Sequence, residues 1–371
     1  MAKLGDIATY INGYAFKPQD WSDEGIPIIR IQDLTGNSYQ ANRYNGEYAS
    51  KYEVNDGDVL ISWSASLGVY IWHGEKAVLN QHIFKVVFDK ERISKDFFVH
   101  QVGLILENAA SDAHGATMKH LTKPVFDALP FYLPPYEKQC EIAEVLDKVT
   151  SLISLRKQQL AKLDELVKVR FVEMFGDPVV NSKRWPVETI ENHIDLLTGF
   201  PFDSSGYVSK GVNICGGLII MPQKIDWSAC KHWPQITGYE DYILRPNDIV
   251  IALDRPWISN GFKIAMVDRE HLPALLIQRT ARIRAVDINQ HYLMQSLLLG
   301  RFDKHCNITG SLVPHISPKD IKSYSVMIPP IELQNQFSTF VERVDQQKQT
   351  VQQSLEKLEL IKKALMQEYF G

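Results

Sequence analysis

The residues that could carry out chemistry are scattered along this chain and form no recognised catalytic or metal-binding motif. The 11 histidines include no His-Glu-x-x-His pattern, and the four cysteines lack the Cys-x-x-Cys spacing of a zinc site. The sequence has no glycine-rich phosphate-binding motif. Asp248 and Asp254 could be placed in a nuclease site, but Asp248, like Asp58, is better explained as a turn residue before a buried strand. The sequence therefore predicts no catalytic residue, no metal ligand and no cofactor.

Two proline pairs precede long segments without Gly or Pro. Leu133-Pro134-Pro135-Tyr136 has the outline of the Asn/Asp-Pro-Pro-Tyr/Phe motif of amino-methyltransferases, in which the Asn or Asp accepts hydrogen bonds from the amine. Leu133 cannot accept them, and the second pair, in Ile328-Pro329-Pro330-Ile331, also follows an aliphatic residue. We interpret both pairs as turns that begin helices, because proline is favoured at the first helical position. We do not expect the chain to be an enzyme by itself.

The composition is that of a soluble globular protein. Of the 371 residues, 45% are hydrophobic and 23% are charged, and no apolar run approaches the roughly 18 residues that a membrane-spanning helix needs. The first six residues lack the apolar stretch of a signal peptide, so we expect a cytoplasmic location. The net charge is −4, and residues 1–135 carry 12 Lys and Arg against 16 Asp and Glu. These values argue against a generic polycation that coats nucleic acid.

An internal repeat organises the chain. Residues 115–176 align without a gap on residues 310–371, and 15 of the 62 aligned pairs are identical. The identical pairs include Gly115 with Gly310, His120 with His315, Pro134-Pro135 with Pro329-Pro330, Glu137 with Glu332, Gln139 with Gln334, and Phe175-Gly176 with Phe370-Gly371. This level of identity indicates a duplication.

The repeat continues more loosely upstream. Gly13-Tyr14-Ala15-Phe16 resembles Gly199-Phe200-Pro201-Phe202, and residues 55–61 resemble residues 245–251. The offset between the two copies changes along the chain, so insertions separate these matching segments. Loops that vary on a duplicated scaffold favour two related sites with different specificities.

The segments after the proline pairs are predicted to be long helices. Residues 137–174 and 332–370 contain no Gly or Pro, and their apolar residues follow the 4,3 spacing of a heptad seam. Polar interruptions fall at different places, Arg156 in one helix and Lys348 and Lys362 in the other, which would favour pairing between unlike helices. Two arrangements stay open: the helices pair with each other, or each packs on its own domain. The predicted seam residues, for helix pairing and partner docking, are Ile142, Leu146, Val149, Ile153, Leu160, Leu163, Val167, Phe337, Val341, Val344, Val351, Leu355, Leu358 and Leu365.

The remaining segments are dominated by short β-like runs bounded by turn residues. We predict strands near residues 59–61, 85–88, 249–252 and 281–284, and short helices at residues 97–109 and 291–302. Each globular half is therefore α+β, and a long helix follows each half.

This order of elements resembles the specificity (S) subunit of type I restriction-modification systems. The resemblance covers essentially the whole chain, and no single motif is specific to the family. The segments that carry it are Leu4-Gly5-Asp6-Ile7, Gly13-Tyr14-Ala15-Phe16, Asp56-Gly57-Asp58-Val59-Leu60-Ile61-Ser62, Lys119-His120-Leu121-Thr122, and Leu133-Pro134-Pro135-Tyr136-Glu137-Lys138-Gln139.

The resemblance implies an α+β fold with two β-rich target-recognition domains, joined by two long antiparallel coiled-coil helices, and an internal pseudo-twofold repeat. The domains would be residues 1–135 and 177–330, and the spacer helices residues 136–176 and 331–371. Each domain would read one half of a bipartite, gapped sequence in double-stranded DNA. The helices would dock two adenine methyltransferase subunits, which a nuclease and translocase subunit can join. Family members supply no catalytic residue themselves.

Candidate DNA contacts are polar and aromatic residues on loops at matching places in the two halves, because Arg, Lys, Asn, Gln and hydroxyl groups read base edges. Arg30 and Gln32 alternate with apolar residues, so we expect them to share one face of a strand. Lys119 and His120, with His315, are placed for phosphate contact. The alternative is that Trp63 and Trp257 are core residues and that their polar neighbours are only solvated. The candidates are Arg30, Gln32, Ser62, Trp63, Ser64, Asn80, Gln81, Lys119, His120, Arg255, Trp257, Ser259, Asn260, Gln278, Arg279 and His315.

A second class of function also fits the sequence. The chain could be a non-catalytic scaffold whose repeated helices bind other proteins and whose β-rich halves do not read DNA sequence. The acidic first half favours this alternative, whereas the divergent loops on a duplicated scaffold favour the DNA-reading function.

Overall fold

A computed structural model of the chain describes residues 1–36, 42–112, 122–306 and 314–371. The chain divides into two compact units. The first unit comprises residues 1–157 and 353–371, and the second comprises residues 158–352. Each unit thus contains one globular region together with a part of each long helix.

The helices are α1 (Leu4–Ile7), α2 (Ile31–Leu34), α3 (Lys95–Asp112), α4 (Lys123–Asp127), α5 (Tyr136–Phe175), α6 (Gln290–Leu299), α7 (Phe302–His305), α8 (Pro318–Lys322) and α9 (Ile331–Phe370). The strands of the first unit are β1 (Ala2–Lys3), β2 (Thr9–Asn12), β3 (Ile26–Ile29), β4 (Arg43–Tyr44), β5 (Glu53–Val54), β6 (Val59–Ser62), β7 (Gly68–Ile71), β8 (Ala77–Leu79), β9 (Ile83–Val87) and β10 (Pro130–Phe131). Those of the second unit are β11 (Val187–Thr189), β12 (Ile194–Thr198), β13 (Val212–Cys215), β14 (Ile220–Met221), β15 (Lys224–Ile225), β16 (Lys231–Trp233), β17 (Ile249–Ala252), β18 (Trp257–Ile258), β19 (Gly261–Phe262), β20 (Ile264–Met266), β21 (Ala274–Leu276), β22 (Thr280–Ala285) and β23 (Ser325–Met327).

The first unit contains two four-stranded sheets, and β6 of one sheet also packs against strands of the other through Leu60. One sheet is antiparallel with the order β2-β9-β6-β7, and the other has the order β4-β3-β8-β5, in which β3 and β8 run parallel. All four residues of β6 are buried, as the apolar run predicts. Since side chains alternate along a strand, Val59 and Ile61 pack into one core and Leu60 into the other.

The second unit repeats this arrangement. Its main sheet has the order β12-β22-β17-β20, and a second sheet has the order β16-β13-β21, in which β13 and β21 run parallel. The central strand β17 is fully buried. Ile249 and Ile251 pack into one core and Val250 into a second. The matching strand orders agree with the duplication that the sequence indicates.

The predicted local elements are confirmed. The run at residues 249–252 is β17, and the three other predicted strands are β6, β9 and β22 with ends shifted by one or two residues. The predicted short helices are α3 in the first unit and α6 with α7 in the second. α5 and α9 begin at Tyr136 and Ile331, directly after the Pro-Pro pairs, where the spacer helices were expected to start.

A buried glutamine holds the start of each long helix. Gln139 Oε1 accepts a hydrogen bond from Ser94 N at 3.0 Å, and Gln139 Nε2 donates to Pro134 O at 2.9 Å. Gln334 makes the corresponding two bonds at 2.8 and 2.7 Å. Both side chains are 1% exposed. The identity of these two residues in the sequence repeat therefore has a structural cause: each satisfies two buried backbone groups where a globular region meets its helix.

In the first unit, the first turns of α5 lie beside the last turns of α9. Ile142 and Leu146 belong to the core that Leu365 and Phe370 also contact. Farther along α5, Lys157 Nζ is 3.1 Å from Glu359 Oε1. Residue numbers increase along α5 where those of the neighbouring α9 residues decrease, so these two segments run antiparallel.

The second unit shows the same relation between the later part of α5 and the first part of α9. The rings of Phe171 and Phe337 lie 5.5 Å apart between centroids, and Lys348 Nζ is 2.7 Å from Asp164 Oδ1. Phe171 also stacks on Tyr292 of α6 at 5.4 Å. Every apolar residue of the two predicted seams is buried or half-buried. Both arrangements left open by the sequence are therefore present, since the helices contact each other and their globular regions.

The glutamine bonds give a stability prediction. Gln334→Leu removes the acceptor for Asn289 N and the donor to Pro329 O, and leaves two buried backbone groups without partners. Because each such group costs about 1–3 kcal/mol, we expect the free energy of unfolding to fall by about 2–5 kcal/mol in urea denaturation. Gln336→Leu, at an exposed position of the same helix, is the matched control. Equal stability of the two variants would contradict the prediction.

Candidate nucleic-acid interface

In the second unit, three segments distant in sequence meet at the end of β17. Leu253 N donates to Arg279 O at 2.9 Å, which joins the residues after β17 to the turn before β22. Arg255 N donates to Pro314 O at 2.7 Å, which adds a third segment. The arrangement brings together the predicted candidates Arg255, Arg279 and His315.

Asp254 lies at the centre of this cluster. His315 Nδ1 donates to Asp254 Oδ1 at 2.7 Å, and Arg279 Nε lies 3.3 Å from Asp254 Oδ2. The Arg279 side chain is 75% exposed, whereas that of Asp254 is 24% exposed. One partly covered carboxylate thus holds two side chains that extend to the surface. The contact between residues 254, 279 and 315 is a feature that no local sequence pattern indicates.

Lys263 is a further basic residue that interacts with Asp254 and Arg255. Lys263 is buried, and its Nζ donates to Gly217 O. Burial lowers the pKa of Lys263, and the positive charge of Arg255 lowers it further, while Asp254 acts in the opposite direction. Lys263 was not among the predicted contacts. Its backbone N donates to Pro256 O at 2.7 Å, so Lys263 joins the loop after β17 to the segment that holds Gly217.

The backbone at this cluster is unusual in a way that both units share. Arg255 and Arg279 have φ of 46° and 64°, in the left-handed region that residues other than Gly rarely adopt. In the first unit, Ala65 and His82 have φ of 59° and 72°. Trp63 N donates to His82 O at 3.2 Å, as Leu253 N does to Arg279 O. The two units therefore build the same strained turns and place different side chains on them.

The glycines of the repeated Gly-aromatic-x-Phe motif are explained by close backbone approach. A Cβ atom on Gly13 would lie 1.9 Å from Asn80 O, and one on Gly199 would lie 1.9 Å from Ile277 O. Only glycine fits beside these turns. Tyr14, which follows Gly13, accepts a backbone hydrogen bond from Gln81 at 2.8 Å and is 45% exposed. Tyr14 was not predicted as a site residue, although the repeated motif was the signal that could have found it.

In the first unit, the segment before β9 contacts Trp63 through His82, whose ring lies 4.9 Å from that of Trp63 between centroids. Asn80 and Gln81 are half-buried, and Asn80 Oδ1 accepts a hydrogen bond from Gln81 N at 2.9 Å. Trp63 Nε1 donates to Asn12 Oδ1 at 3.2 Å, and its ring stacks on Phe84 at 5.6 Å. Trp63 is thus partly a core residue, and Asn12 is a surface amide that the sequence did not single out.

Trp257 in the second unit is likewise partly a core residue. Its ring stacks on Phe262 at 4.9 Å and 17° and packs against the main core. The turn between β18 and β19 exposes Ser259 and Asn260. Gln278 is half-buried, and its Nε2 donates to Phe202 O at 3.5 Å. The surface candidates of this hairpin are therefore its turn residues rather than its tryptophan.

Three expectations from the sequence need correction. Ser62 is 0% exposed and Ser64 is 6% exposed, and Ser62 Oγ donates to Ser66 O at 2.5 Å. These hydroxyls shape the loop and have almost no surface with which to contact a base. Arg30 and Gln32 do not share a strand face, because β3 ends at Ile29 and Gln32 lies in α2.

Arg30 is held by its neighbours. Its guanidinium carbon lies 5.6 Å from the centre of the Trp21 ring, its Nε lies 3.8 Å from Asp33 Oδ2, and its side chain is 16% exposed. This environment favours a structural role. The candidates Lys119 and His120 lie outside the described residues.

Asp58 and Asp248 are turn residues, as predicted. Asp58 Oδ2 accepts a hydrogen bond from Asn55 N at 2.8 Å, and Asp248 Oδ2 accepts one from Arg245 N at 2.7 Å. Asp248 also binds Arg284 through two hydrogen bonds of 2.6 and 2.7 Å. Both carboxylates therefore have structural partners in their turns. Within the described residues, no group of His, Cys, Asp and Glu is arranged to hold a metal ion, and no helix is long and apolar enough to span a membrane.

One histidine of the second unit is enclosed by carboxylates. His193 Nδ1 lies 2.8 Å from Asp287 Oδ1, and its Nε2 lies 3.1 Å from Glu188 Oε2. Burial alone would lower the pKa of His193, but the hydrogen bonds to Asp287 and Glu188 outweigh it and raise the pKa above its usual value. The His193 side chain, directly before β12, therefore links β11 to the segment before α6.

This arrangement predicts a pH dependence of stability. A raised folded-state pKa gives a contribution that is complete below the unfolded value of about 6.5 and is lost as the pH rises through the folded value. His193→Gln should remove this decline, which chemical denaturation would follow as the pH is raised above about 6.5. His73→Gln, at a 76% exposed histidine, is the control and should keep it. An unchanged pH profile in His193→Gln would show that the imidazolium does not contribute.

Comparison with known proteins supports one class. Residues 1–165 match the family described as Type I restriction modification DNA specificity domain. The MjaVIII specificity subunit of Methanocaldococcus jannaschii, a type I restriction enzyme component, is 24% identical over 99% of this chain and 90% of its own length. The EcoBI specificity subunit of Escherichia coli is 29% identical over 61% of this chain, but the match spans 44% of that protein.

Solved structures show the same fold. A type I restriction-modification S subunit from M. genitalium aligns with a TM-score of 0.56 and 13% identity, over 100% of this chain and 95% of that one. A chain from a type I R-M system, solved in a study of complex assembly, aligns with a TM-score of 0.53 and 15% identity, over 100% of this chain and 96% of that one. The resemblance predicted from the sequence is confirmed: the chain is similar along its full length to type I specificity subunits.

Proposed function

We propose that this chain is the DNA-reading, non-catalytic subunit of a type I restriction-modification complex. Residues 1–135 and 177–330 would each act as a target-recognition domain for one half of a bipartite, gapped target in double-stranded DNA. The chain would direct its partner subunits to methylate adenines at this target. Where a restriction subunit is present, the chain would direct restriction as well. The observation that carries the proposal is the pair of matching strained turns, which present different side chains in the two units.

The chemistry of the displayed groups supports DNA readout. The second unit exposes a guanidinium and an imidazole around Asp254, together with the Ser259-Asn260 turn. The first unit presents amides and aromatic rings on the corresponding loops. Side chains of these types form hydrogen bonds with base edges and with phosphates in protein–DNA complexes. Local clusters of this kind suit a protein whose net charge is −4, because partner subunits can supply the wider positive field.

The helix segments support the proposed spacer. We infer that residues 136–176 and 331–371 form an antiparallel coiled coil. We also infer that an internal pseudo-twofold repeat relates the two halves of the chain. The Lys157–Glu359 and Lys348–Asp164 ion pairs, one in each unit, join unlike helices and would fix their register. Lys348, a polar interruption of the predicted seam, makes one of these contacts.

The outer surface of α5 supports docking of partner proteins. Its segment in the first unit leaves Leu152 44% exposed and Leu155 58% exposed, and its segment in the second unit leaves Val169 55% exposed. Apolar side chains on an outer helix face are typical of protein contacts. Two adenine methyltransferase subunits are the partners that fit the proposed function.

Methylation mapping tests the proposal directly. The chain is co-expressed with the methyltransferase encoded beside it, and methylated adenines are mapped on plasmid DNA by single-molecule sequencing, with the chain omitted as the control. We expect a two-part motif with an unspecified gap, seen only when the chain is present. An assembled complex without chain-dependent methylation would overturn the proposal in favour of the scaffold function.

The spacer makes a second, geometric prediction. Seven residues added to each helix at facing positions, after Lys157 in α5 and before Glu359 in α9, preserve the heptad seam and lengthen the pair by about 10 Å. At 3.4 Å per base pair, the unspecified gap should grow by about three base pairs while both half-sites stay the same. The control replaces exposed residues at the same positions without changing the length. An unchanged gap would contradict the spacer role.

A further inference from the structure

We propose that Arg279 reads a guanine in the half-site recognised by the second unit and that Asp254, with His315, positions it. The inference rests on the proposed function and adds the base class that one of the two sites recognises. It also assigns Asp254 as a positioning residue, since its contacts are to Arg279 and His315 rather than to a base.

The geometry leaves the reading end of Arg279 available. Asp254 Oδ2 lies beside Nε, the atom nearest the aliphatic part of the side chain. Among the described residues, the two terminal amino groups of Arg279 have no hydrogen-bond partner. The side chain is 75% exposed. An arginine held at Nε presents two parallel donors directed away from the protein, which limits the conformations it must lose on binding.

Guanine is the base that fits these donors. In the major groove, guanine presents two adjacent acceptors, O6 and N7, whereas adenine presents an acceptor beside a donor. A guanidinium has donors only, so a bidentate contact with adenine would leave one pair of donors facing each other. Cytosine and thymine offer at most one polar position each. The fork of Arg279 therefore discriminates in favour of guanine.

The charge balance explains why a carboxylate is tolerated at this surface. An isolated carboxylate would repel DNA phosphates, but Asp254 has both oxygens engaged by cation-forming side chains, at 2.7 Å from His315 and 3.3 Å from Arg279. With Arg255 exposed next in sequence, the cluster carries no net negative charge. Asp254 thus orders Arg279 without making the surface acidic.

The first unit lacks this device. On the matching backbone, Ser64 and Ala65 follow the strand where the second unit has Asp254 and Arg255, and His82 takes the place of Arg279. Loss of the Arg279 guanidinium should therefore affect one half-site alone.

The experiment uses the full chain in complex with its methyltransferase partners and compares Arg279→Gln with wild type. Arg269→Gln is the matched control, because Arg269 is exposed and lies in the loop at the opposite end of β17. We expect Arg279→Gln to lower the preference for guanine at one position of one half-site by about 10- to 100-fold. The bases read in the other half-site should stay the same. Arg269→Gln should keep the wild-type motif. Substitution of that guanine by 7-deazaguanine, which lacks N7, should weaken binding of wild type more than binding of Arg279→Gln.

Arg279→Lys keeps the positive charge but lacks the paired donors of the guanidinium, and it tests the inference if Arg279→Gln impairs assembly. The lysine variant should assemble and methylate DNA, with a lower preference for guanine at the same position. Asp254→Asn should lower the preference for guanine at that position by less than Arg279→Gln does. The double variant Asp254→Asn/Arg279→Gln should lower it no further than Arg279→Gln alone. A gapped motif that both Arg279 variants leave intact would overturn the inference while the proposed function stands. Absence of any chain-dependent motif would overturn both.

Discussion

The buried central strand of each globular region is the constraint on which the rest depends. β6 and β17 present alternate residues to two separate cores, with Leu60 and Val250 on one side and their neighbours on the other. A strand fixed on both faces cannot shift its register without moving apolar side chains out of both cores. The loop that leaves such a strand therefore begins at a defined point. Part of that loop packs back on the core, as Trp63 and Trp257 do, and other side chains, such as Arg255 and Asn260, are polar and exposed.

The secondary structure was predictable because the signals for it are local. Four buried runs, two long segments free of Gly and Pro, and the heptad spacing each have a period that a few residues define. The duplication was also visible, and it led to the pairing of Gln139 with Gln334. Where local signals were weak, the prediction was wrong. Ile29 to Gln32 alternates like a strand, yet Asp33 accepts a hydrogen bond from Arg30 N, and a helical turn begins at Ile31 instead.

The arrangement of the candidate site was only partly predictable. The sequence selected Arg255, Arg279 and His315 by residue type and by their place in the repeat. It could not show that Asp254 joins two of them, because residues 254, 279 and 315 meet only through the packing of three segments. Burial was equally hidden. Ser62 and Ser259 are both hydroxyl residues near strand ends, and only the fold distinguishes the buried one from the exposed one.

The left-handed turns at residues 65 and 82, and at 255 and 279, have a consequence for how such a protein can change. Their conformational cost is already part of the folded state, and it is borne alike by Ala65, His82, Arg255 and Arg279. Exchanging one non-glycine side chain without a branched Cβ for another at these positions changes that cost little, whereas a β-branched residue would raise it. The displayed chemistry can therefore drift through many single substitutions while the stability of the scaffold stays nearly level. Side-chain variation at these four positions therefore perturbs the fold less than variation in either core would.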